Sequence, residues 1–229
     1  MNELNLSTNQ IKNIEGLDAI KNLKKLNLGE NQIQKIENLS QLGNLLDLDL
    51  HNNYISDIEN LVLLTSLLSL NLASNLITKI SGMDYFSFLK NLNLYNNQII
   101  KIENLDNLRN LQKLMLGFNQ ITKIENLNGL EMLNWLDLNH NIITKIENIE
   151  SNLSLEHLDI SENKIFRLEN LENLTNLKEL HVWGNPIKEI TESTYDFLLK
   201  NRNIKLGLEE NEYLNPIRFA EKYELKIIK

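Results

Sequence analysis

The chain repeats one 22-residue unit nine times, and this periodicity constrains its fold more than any other feature. The unit is clearest at 114–127, LMLGFNQITKIENL, where two leucines at alternate positions precede an asparagine. That asparagine recurs without a slip at Asn9, Asn31, Asn53, Asn75, Asn97, Asn119, Asn141, Asn163 and Asn185. Units in register stack on their neighbours and build an elongated solenoid, so we predict one repeat array over residues 1–190.

Within each unit, the pattern predicts a short strand followed by a turn-rich return. The residues around L-x-L alternate, so both leucines point into the core and their neighbours point to solvent. Strands in register at this period pair in parallel and form a curved ribbon on the concave side. Leucines spaced by three, as at Leu105, Leu108 and Leu111, indicate 3₁₀ turns or short helices on the convex side. The predicted fold class is therefore an α/β solenoid.

The repeated asparagine predicts a structural role. An amide side chain has both donors and an acceptor, so a buried stack of amides can satisfy backbone groups at the turn. Two units depart from the leucine pattern. One has Met83 and Phe86 at leucine positions, and the other has Asn152, where we expect Leu153 to take the core position by a local shift.

Beyond the ninth asparagine the period stops, and residues 191–229 are predicted to form an α/β capping segment. We predict an amphipathic helix over 192–202, where four residues recur at helical spacing: Tyr195, Leu198, Leu199 and Arg202. The stretch 204–208 alternates like a strand, Asn-Pro suits the start of a second helix over 215–223, and the final LKII suits a strand. An open array needs such an end to shield its core from water.

The 22-residue period, the recurring text K-I-E-N-L and the spacing L-x-x-L-x-x-L resemble a known class of leucine-rich repeat proteins, typified by the nuclear regulatory subunit of type 1 protein phosphatase. The resemblance covers residues 4 to about 190, and N-P-I at 185–187 followed by Tyr195 looks like the cap motif of that class. Bacterial internalin-type repeats share the period but usually carry Asp-Ile-Ser-Pro-Leu where this chain has Lys-Ile-Glu-Asn-Leu. That second resemblance is the less close one.

The resemblance to the phosphatase regulator implies a partner-binding column between the two leucines of each strand, rich in acidic and aromatic residues. Here Asp49 and Asp137 fit the acidic type, but the column contains no aromatic residue. The resemblance therefore implies a protein partner, with type 1 protein phosphatase as one candidate.

The predicted concave face carries both tryptophans and all four histidines of the chain. Exposed aromatic residues fill no core there, and Trp and Tyr are enriched at interface hot spots. Acidic residues on the same surface include Glu162 and Glu179. We predict that this surface binds a partner protein through Asp49, Tyr95, Phe118, Trp135, Asp137, His140, His157, Asp159, His181 and Trp183. The alternative is that neighbouring aromatic side chains only stack along the sheet and stabilise it.

A metal or acid–base site at His157, Asp159 and His181 is the sharpest chemical alternative. Imidazole and carboxylate are competent ligands, and the strand register places the three residues on one face. However, a flat ribbon offers no pocket that excludes water, and the chain has no phosphate-binding loop, nucleophile motif or zinc spacing. We therefore predict no enzymatic activity, no metal and no cofactor.

Composition narrows the class of partner. The net charge is −8, from 31 acidic and 23 basic residues, and it opposes binding to nucleic acid or to an anionic membrane. No stretch approaches the roughly 18 consecutive apolar residues of a membrane helix. Cysteine is absent and the N-terminus lacks the features of a signal peptide, so we expect a cytoplasmic or nuclear protein.

Three functional hypotheses follow from the sequence. The first is a non-catalytic scaffold that binds a partner protein on its concave face. The second is a phosphatase regulatory subunit. The third is a structural or self-associating repeat array of bacterial origin, because a first repeat with an open strand edge can pair with another chain.

Overall fold

The structure is a computed structural model that describes residues 2–209, 212–214 and 224–228. The second helix predicted over 215–223 lies outside these residues. In chain order the elements are β1 (Glu3–Asn5), β2 (Lys25–Asn27), β3 (Asp47–Asp49), β4 (Ser69–Asn71), β5 (Asn91–Asn93), β6 (Lys113–Met115), β7 (Trp135–Asp137), β8 (His157–Asp159), β9 (Arg167–Leu168), β10 (Glu179–His181), β11 (Glu189–Thr191), α1 (Glu192–Lys200), β12 (Lys205–Glu209), β13 (Glu212–Leu214) and β14 (Lys226–Ile228).

The repeat strands form the predicted parallel ribbon. Within the described residues, the main sheet runs in the order β1 to β8, β10, β12 and β13. Each repeat strand pairs with the next at a shift of 22 residues, as in Leu92 with Leu114 and Leu114 with Leu136. Only β13 runs antiparallel to its neighbour, β12. A solenoid of about nine turns is therefore confirmed.

The core lies between this sheet and the convex turns. Leucines and isoleucines of successive repeats are almost completely buried, and each contributes about 1.5–3 kcal/mol by leaving water. On the convex side, Leu42 donates its backbone N–H to the Leu39 carbonyl, and Leu45 donates to Leu42. These contacts span three residues, which is the 3₁₀ pattern, so the convex side consists of such turns. Met83 and Phe86 fill their predicted core positions.

The asparagine at each turn joins its own turn to the preceding turn of the solenoid. The amide of Asn119 donates to the carbonyls of Leu94, Leu116 and Gly117 at 3.0, 3.0 and 3.2 Å, and its Oδ1 accepts the backbone N–H of Ile99 at 2.8 Å. The same arrangement recurs along the interior of the array. The first asparagine, Asn9, is instead exposed, because no earlier turn stacks against it here.

A second asparagine, in the text K-I-E-N, forms another ladder that the sequence pattern did not indicate. Asn104 and Asn126 adopt left-handed backbone conformations, with φ of 60° and 59°. Their side-chain amides donate across the repeat boundary to the carbonyls of Ile80 and Ile102, both at 2.7 Å. Asparagine tolerates this backbone region better than most residues, so one residue type provides both the left-handed turn and the hydrogen bond across the repeat boundary.

The prediction for the irregular seventh repeat is wrong. Asn152 is fully buried at the leucine position, and Leu153 is 54% exposed. Asn152 stays there because backbone hydrogen bonds from its N–H to Ile149 and from Leu155 to its carbonyl keep the frame of the turn. Its side-chain amide also donates to the carbonyls of Leu127 and Leu130 at 3.0 and 3.3 Å.

The C-terminal segment contacts the last repeats through the main sheet, through a second sheet whose described strands run in the order β14, β11 and β9, and through the helix. β12 adds to β10 in parallel, and β14 pairs with β11, which confirms the strand predicted from the alternation at 204–208 and the strand predicted for the final LKII. α1 ends at Lys200 and buries Thr194, Phe197 and Leu198. Of the four predicted face residues only Leu198 is fully buried, and Arg202 lies beyond the helix. The division into an array at 1–190 and a cap at 191–229 stays a prediction.

Replacing Asn119 by alanine should lower the free energy of unfolding by about 3 kcal/mol, because buried turn groups lose four hydrogen bonds at once. The urea midpoint of the purified protein measures this loss. The neighbouring exposed residue provides the control, since Gln120→Ala should change stability by less than about 0.5 kcal/mol. Equal midpoints for the two variants would contradict the structural role of the asparagine ladder.

Candidate protein-binding surface

Nine of the ten predicted binding residues lie on or directly after β5 to β10, on the concave side. We call them the concave patch: Tyr95, Phe118, Trp135, Asp137, His140, His157, Asp159, His181 and Trp183. Four steps of the parallel sheet separate Tyr95 from Trp183, which is roughly 19 Å at the usual spacing between strands.

Aromatic and imidazole rings form a continuous row along one side of the patch. The rings of Tyr95 and Phe118 are 5.1 Å apart, and Phe118 stacks on His140 at 3.8 Å with an angle of 13° between the planes. His140 then meets Trp183 edge-on at 6.0 Å. Each ring contact of this kind stabilises the structure by about 0.5–1.5 kcal/mol beyond the contribution of the buried area. The row therefore presents one preformed apolar surface.

Phe118 and His140 are not on the strands but on the turn that follows. Both have left-handed backbones, with φ of 53° and 49°, at a turn position that is left-handed in all nine repeats and holds asparagine or glycine in three of them. A bulky side chain in this region costs roughly 1 kcal/mol relative to glycine or asparagine. Phe118 is also 40% exposed, so part of its ring remains accessible to a partner.

A second group of rings lies on the strands themselves. Trp135, which is 37% exposed, stacks on His157 of the next strand at 4.4 Å. The ammonium of Lys113, on the preceding strand, lies 5.4 Å from the centre of the Trp135 ring. The indole therefore has an imidazole and a cation as neighbours. The contact with the imidazole is the kind of stacking along the sheet that the alternative hypothesis predicted.

Glu179 holds the far end of this group. Its Oε2 lies 3.1 Å from His157 Nδ1, and its Oε1 lies 2.7 Å from Lys205 Nζ. The hydrogen bond from Lys205 lowers the pKa of Glu179 and outweighs the opposite effect of burial. His157 is thus directed to Glu179 rather than to Asp159.

This pairing bears on the proposed metal or acid–base trio. The sheet register does place His181 beside Asp159, as the sequence predicted. However, within the described part of the chain, no group of three histidine, aspartate or glutamate side chains is arranged to hold a metal ion. The trio does not form one ligand set.

Asp137 and Asp159 form the acidic floor of the patch, facing each other across β7 and β8. Asp137 Oδ1 accepts the backbone N–H of Asn139 at 2.9 Å, while Asp159 Oδ1 accepts the backbone N–H and hydroxyl of Ser161 at 2.9 and 2.6 Å. Burial raises the pKa of Asp137 to about 6, and the charge of Asp159 adds to this effect. The hydrogen bond from Asn139 acts in the opposite direction.

Gly117 and Asn139 belong to this surface although sequence patterns did not indicate them. A Cβ at Gly117 would lie 2.6 Å from Asn139 Oδ1 and 2.9 Å from Tyr95 Cε2. Only glycine therefore lets these side chains approach the strand as they do. The signal that could have found Gly117 is its place in the same solvent-facing column as Tyr95 and Trp183.

Asp49 lies apart from the concave patch, on β3. Its Oδ1 is 2.8 Å from Nδ1 of His51, whose Nε2 lies 3.5 Å from Glu30. Four steps of the sheet separate β3 from β7, so Asp49 and Asp137 are roughly 19 Å apart along the ribbon. The two acidic residues that fit the phosphatase-regulator column are therefore distant from each other.

The raised pKa of Asp137 predicts a pH-dependent stability. Protonation of Asp137 favours the folded state, and this contribution is fully present below pH 3.8, the ordinary pKa of an aspartate. It is lost as the pH rises through about 6, the pKa of Asp137 in the folded protein. Asp137→Asn should therefore raise the free energy of unfolding at pH 7.5 by about 1–3 kcal/mol. Denaturant titrations at pH 7.5 and pH 4 test this, because the gain should largely vanish at pH 4. A gain of equal size at both pH values would show that charge is not the cause.

A family model of leucine-rich repeats, described as two copies, matches residues 1–41, 87–129 and 154–195, together more than half of the chain. A comparison with curated proteins finds no match. The part of the chain that the structure describes has no helix long and apolar enough to cross a membrane.

Solved structures share the fold. A leucine-rich repeat protein of Leptospira interrogans matches with a TM-score of 0.76 and 26% identity, over 100% of this chain and 54% of that one. Internalin C2 of Listeria monocytogenes matches with 0.74 and 31% identity, over 78% of this chain and 79% of that one. The ectodomain of a plant receptor kinase of Arabidopsis thaliana, in complex with CASPARIAN STRIP INTEGRITY FACTOR 2, matches with 0.71 and 25% identity, over 91% of this chain and 26% of that one.

The chain thus spans about half of the Leptospira protein and about a quarter of the plant ectodomain. Of the two resemblances seen in the sequence, these structures support the bacterial internalin type, while the phosphatase-regulator type stays a prediction. Proteins with this fold are typically interaction scaffolds rather than enzymes. The family model and the identity to internalin C2 together show that the chain belongs to the leucine-rich repeat family.

Proposed function

We propose that this protein is a non-catalytic scaffold that binds a partner protein through the concave patch. The observation that carries the proposal is the row of Tyr95, Phe118, His140 and Trp183, whose rings touch in sequence on a face that has no core to fill. The plant ectodomain, which was solved in complex with a named partner factor, supports the proposal that this chain binds a partner.

The backbone at Phe118 supports the same proposal. A left-handed turn position that favours asparagine or glycine holds instead a large exposed aromatic ring. Residues that are locally unfavourable for folding concentrate where binding or catalysis requires them. The exposed part of the Phe118 ring is therefore available to a partner.

The patch also has the properties of an efficient docking surface. Its rings already contact each other, so few side chains lose freedom when a partner binds. Large aromatic groups supply most of the energy at such surfaces, and a few residues usually dominate. Asp49 is proposed only as a peripheral contact, because a partner that touches both Asp49 and Trp183 spans roughly 29 Å of the ribbon.

Two other proposals compete with this one. The first is that the protein is a phosphatase regulatory subunit, which Asp137 supports because it lies in the column between the two leucines. A titration of type 1 phosphatase activity with the protein tests this proposal. An unchanged activity and no complex would remove it. A self-associating array, bacterial in origin, predicts oligomers in sedimentation at high concentration, and a monomer would contradict it. The cytoplasmic or nuclear location also stays a proposal.

The variant Trp135→Ala, Trp183→Ala should lose a partner that the wild-type protein captures from lysate of the source organism, because it removes both indoles of the patch. Quantitative mass spectrometry of the bound proteins provides the measurement. We expect the free energy of binding between the protein and an isolated partner to weaken by more than about 2 kcal/mol, the usual loss at a hot spot.

The convex side offers a matched control. Tyr85 and Phe88 are exposed aromatic residues there, and Phe88 is 60% exposed. Tyr85→Ala, Phe88→Ala should leave capture unchanged. A third variant, Phe118→Asn, copies the residue of the preceding repeat, so it should weaken capture while the thermal midpoint shifts by only a few degrees. Capture that survives the double tryptophan variant would overturn the proposal.

A further inference from the structure

The acidic floor of the concave patch carries charge that no described residue neutralises through an ion pair. Asp137 and Asp159 form no ion pair with any residue that the structure describes, and their hydrogen-bond donors are neutral backbone, hydroxyl or amide groups. By contrast, Glu179 at the edge of the floor is bound by Lys205 and by His157. Burial of the Asp137 carboxyl disfavours its charged form, and a cation from outside would relieve this cost.

The two carboxylates are oriented by their own strands. In each, Oδ1 accepts the N–H of the residue two positions later, at 2.9 Å. Among the described residues, Asn139 Nδ2 at 3.5 Å is the one further donor to Asp159, through Oδ2, and Asp137 Oδ2 has none. Because β7 and β8 are neighbours, these two Oδ2 atoms belong to strands about 4.8 Å apart.

A small pocket lies over this pair of strands and the next one. Its volume is about 70 Å³, and its polar and aromatic lining consists of Trp135, Asp137, His157, Asp159, Glu179 and His181. This volume has room for roughly five waters, and the guanidinium group of arginine has four heavy atoms. The pocket is therefore large enough for the charged end of one side chain.

The chemistry of the lining selects among cations. A planar guanidinium donates two parallel N–H groups and can meet two carboxylate oxygens at once, whereas an ammonium acts as a single point of charge. Trp135 forms an apolar wall beside the acids, and Lys113 already places its ammonium over the same ring at 5.4 Å. An aliphatic stem that enters along the indole is shielded from water by this wall.

We propose that the pocket between β7, β8 and β10 binds an arginine side chain of the partner protein, with its guanidinium bridging the carboxylates of Asp137 and Asp159. This inference rests on the proposed function and names the chemistry of the partner: a basic segment that crosses the concave face, with apolar or aromatic residues beside the arginine to meet the aromatic row. The net charge of −8 favours the approach of such a segment.

Three capped pentapeptides test the pocket directly: acetyl-Ala-Ala-Arg-Ala-Ala-amide and its counterparts with lysine or citrulline at the centre. Citrulline has the shape of arginine without its charge. The backbone amides of Asn139 and Ser161, which donate to the two carboxylates, report binding in ¹H–¹⁵N NMR titrations. We expect saturable shifts with the arginine peptide, binding weaker by about tenfold with lysine, and no saturation with citrulline.

Charge-removing variants locate the site. Asp137→Asn and Asp159→Asn should each weaken binding of the arginine peptide by about tenfold or more, and high salt should weaken it in the wild type. Asp47→Asn is the matched control, because Asp47 is a half-buried carboxylate on β3 of the same ribbon, outside the pocket. It should bind like the wild type. No saturable binding of the arginine peptide, equal binding of citrulline, or equal affinity in Asp137→Asn overturns the inference.

The capture experiment separates this inference from the proposed function. A partner that is lost with the double tryptophan variant, yet retained with the double variant Asp137→Asn, Asp159→Asn, would overturn the arginine pocket and leave the concave scaffold standing. A partner that is retained with the double tryptophan variant would contradict the scaffold itself. Loss with both variants, together with saturable binding of the arginine peptide, supports both.

Discussion

The side-chain amide at each turn is the interaction on which the rest of the structure depends. Asn119 bonds to backbone groups 25, 3 and 2 residues before it, and its oxygen receives an N–H 20 residues before it. One side chain thus fixes the distance and rotation between two turns. A hydrophobic core alone is non-directional and would permit neighbouring repeats to slide, so the exact period of 22 follows from this polar ladder.

The predictable part of the fold is the part that repeats. The L-x-L alternation and the register of the repeat strands follow from side-chain periodicity, and the structure confirms them from β1 to β10. What could not be predicted depends on local competition. Asn152 keeps the core position because it satisfies two carbonyls, which hydrophobicity does not reveal. Similarly, α1 buries Phe197, because packing against the last repeat determines which face of the helix is buried. The spacing of apolar residues alone was also compatible with a different buried face.

The candidate site shows the same limit. Alternation places Trp135, His157 and Asp159 on the concave face, but it says nothing of which side chains contact each other. Glu179 binds His157 because the rotamers on adjacent strands bring them within 3.1 Å. Gly117 was missed for a related reason: its contribution is the absence of a side chain, and its effect appears only when Tyr95 and Asn139 are placed beside it.

Folding and recognition use different positions of the same repeat. Core leucines and the two asparagine ladders are fixed by the period, which leaves the concave columns free to vary. Side chains that fill no core are concentrated in those columns, among them the part-exposed ring of Phe118 and the part-buried carboxylate of Asp137, which forms no ion pair with a described residue. The first four repeats have mainly asparagine in the middle column and lack such a cluster. An array is stabilised by contacts between neighbouring repeats, so any loss of folding free energy at the patch affects mainly repeats five to nine. The regular repeats before them can supply the stability that repeats five to nine lack.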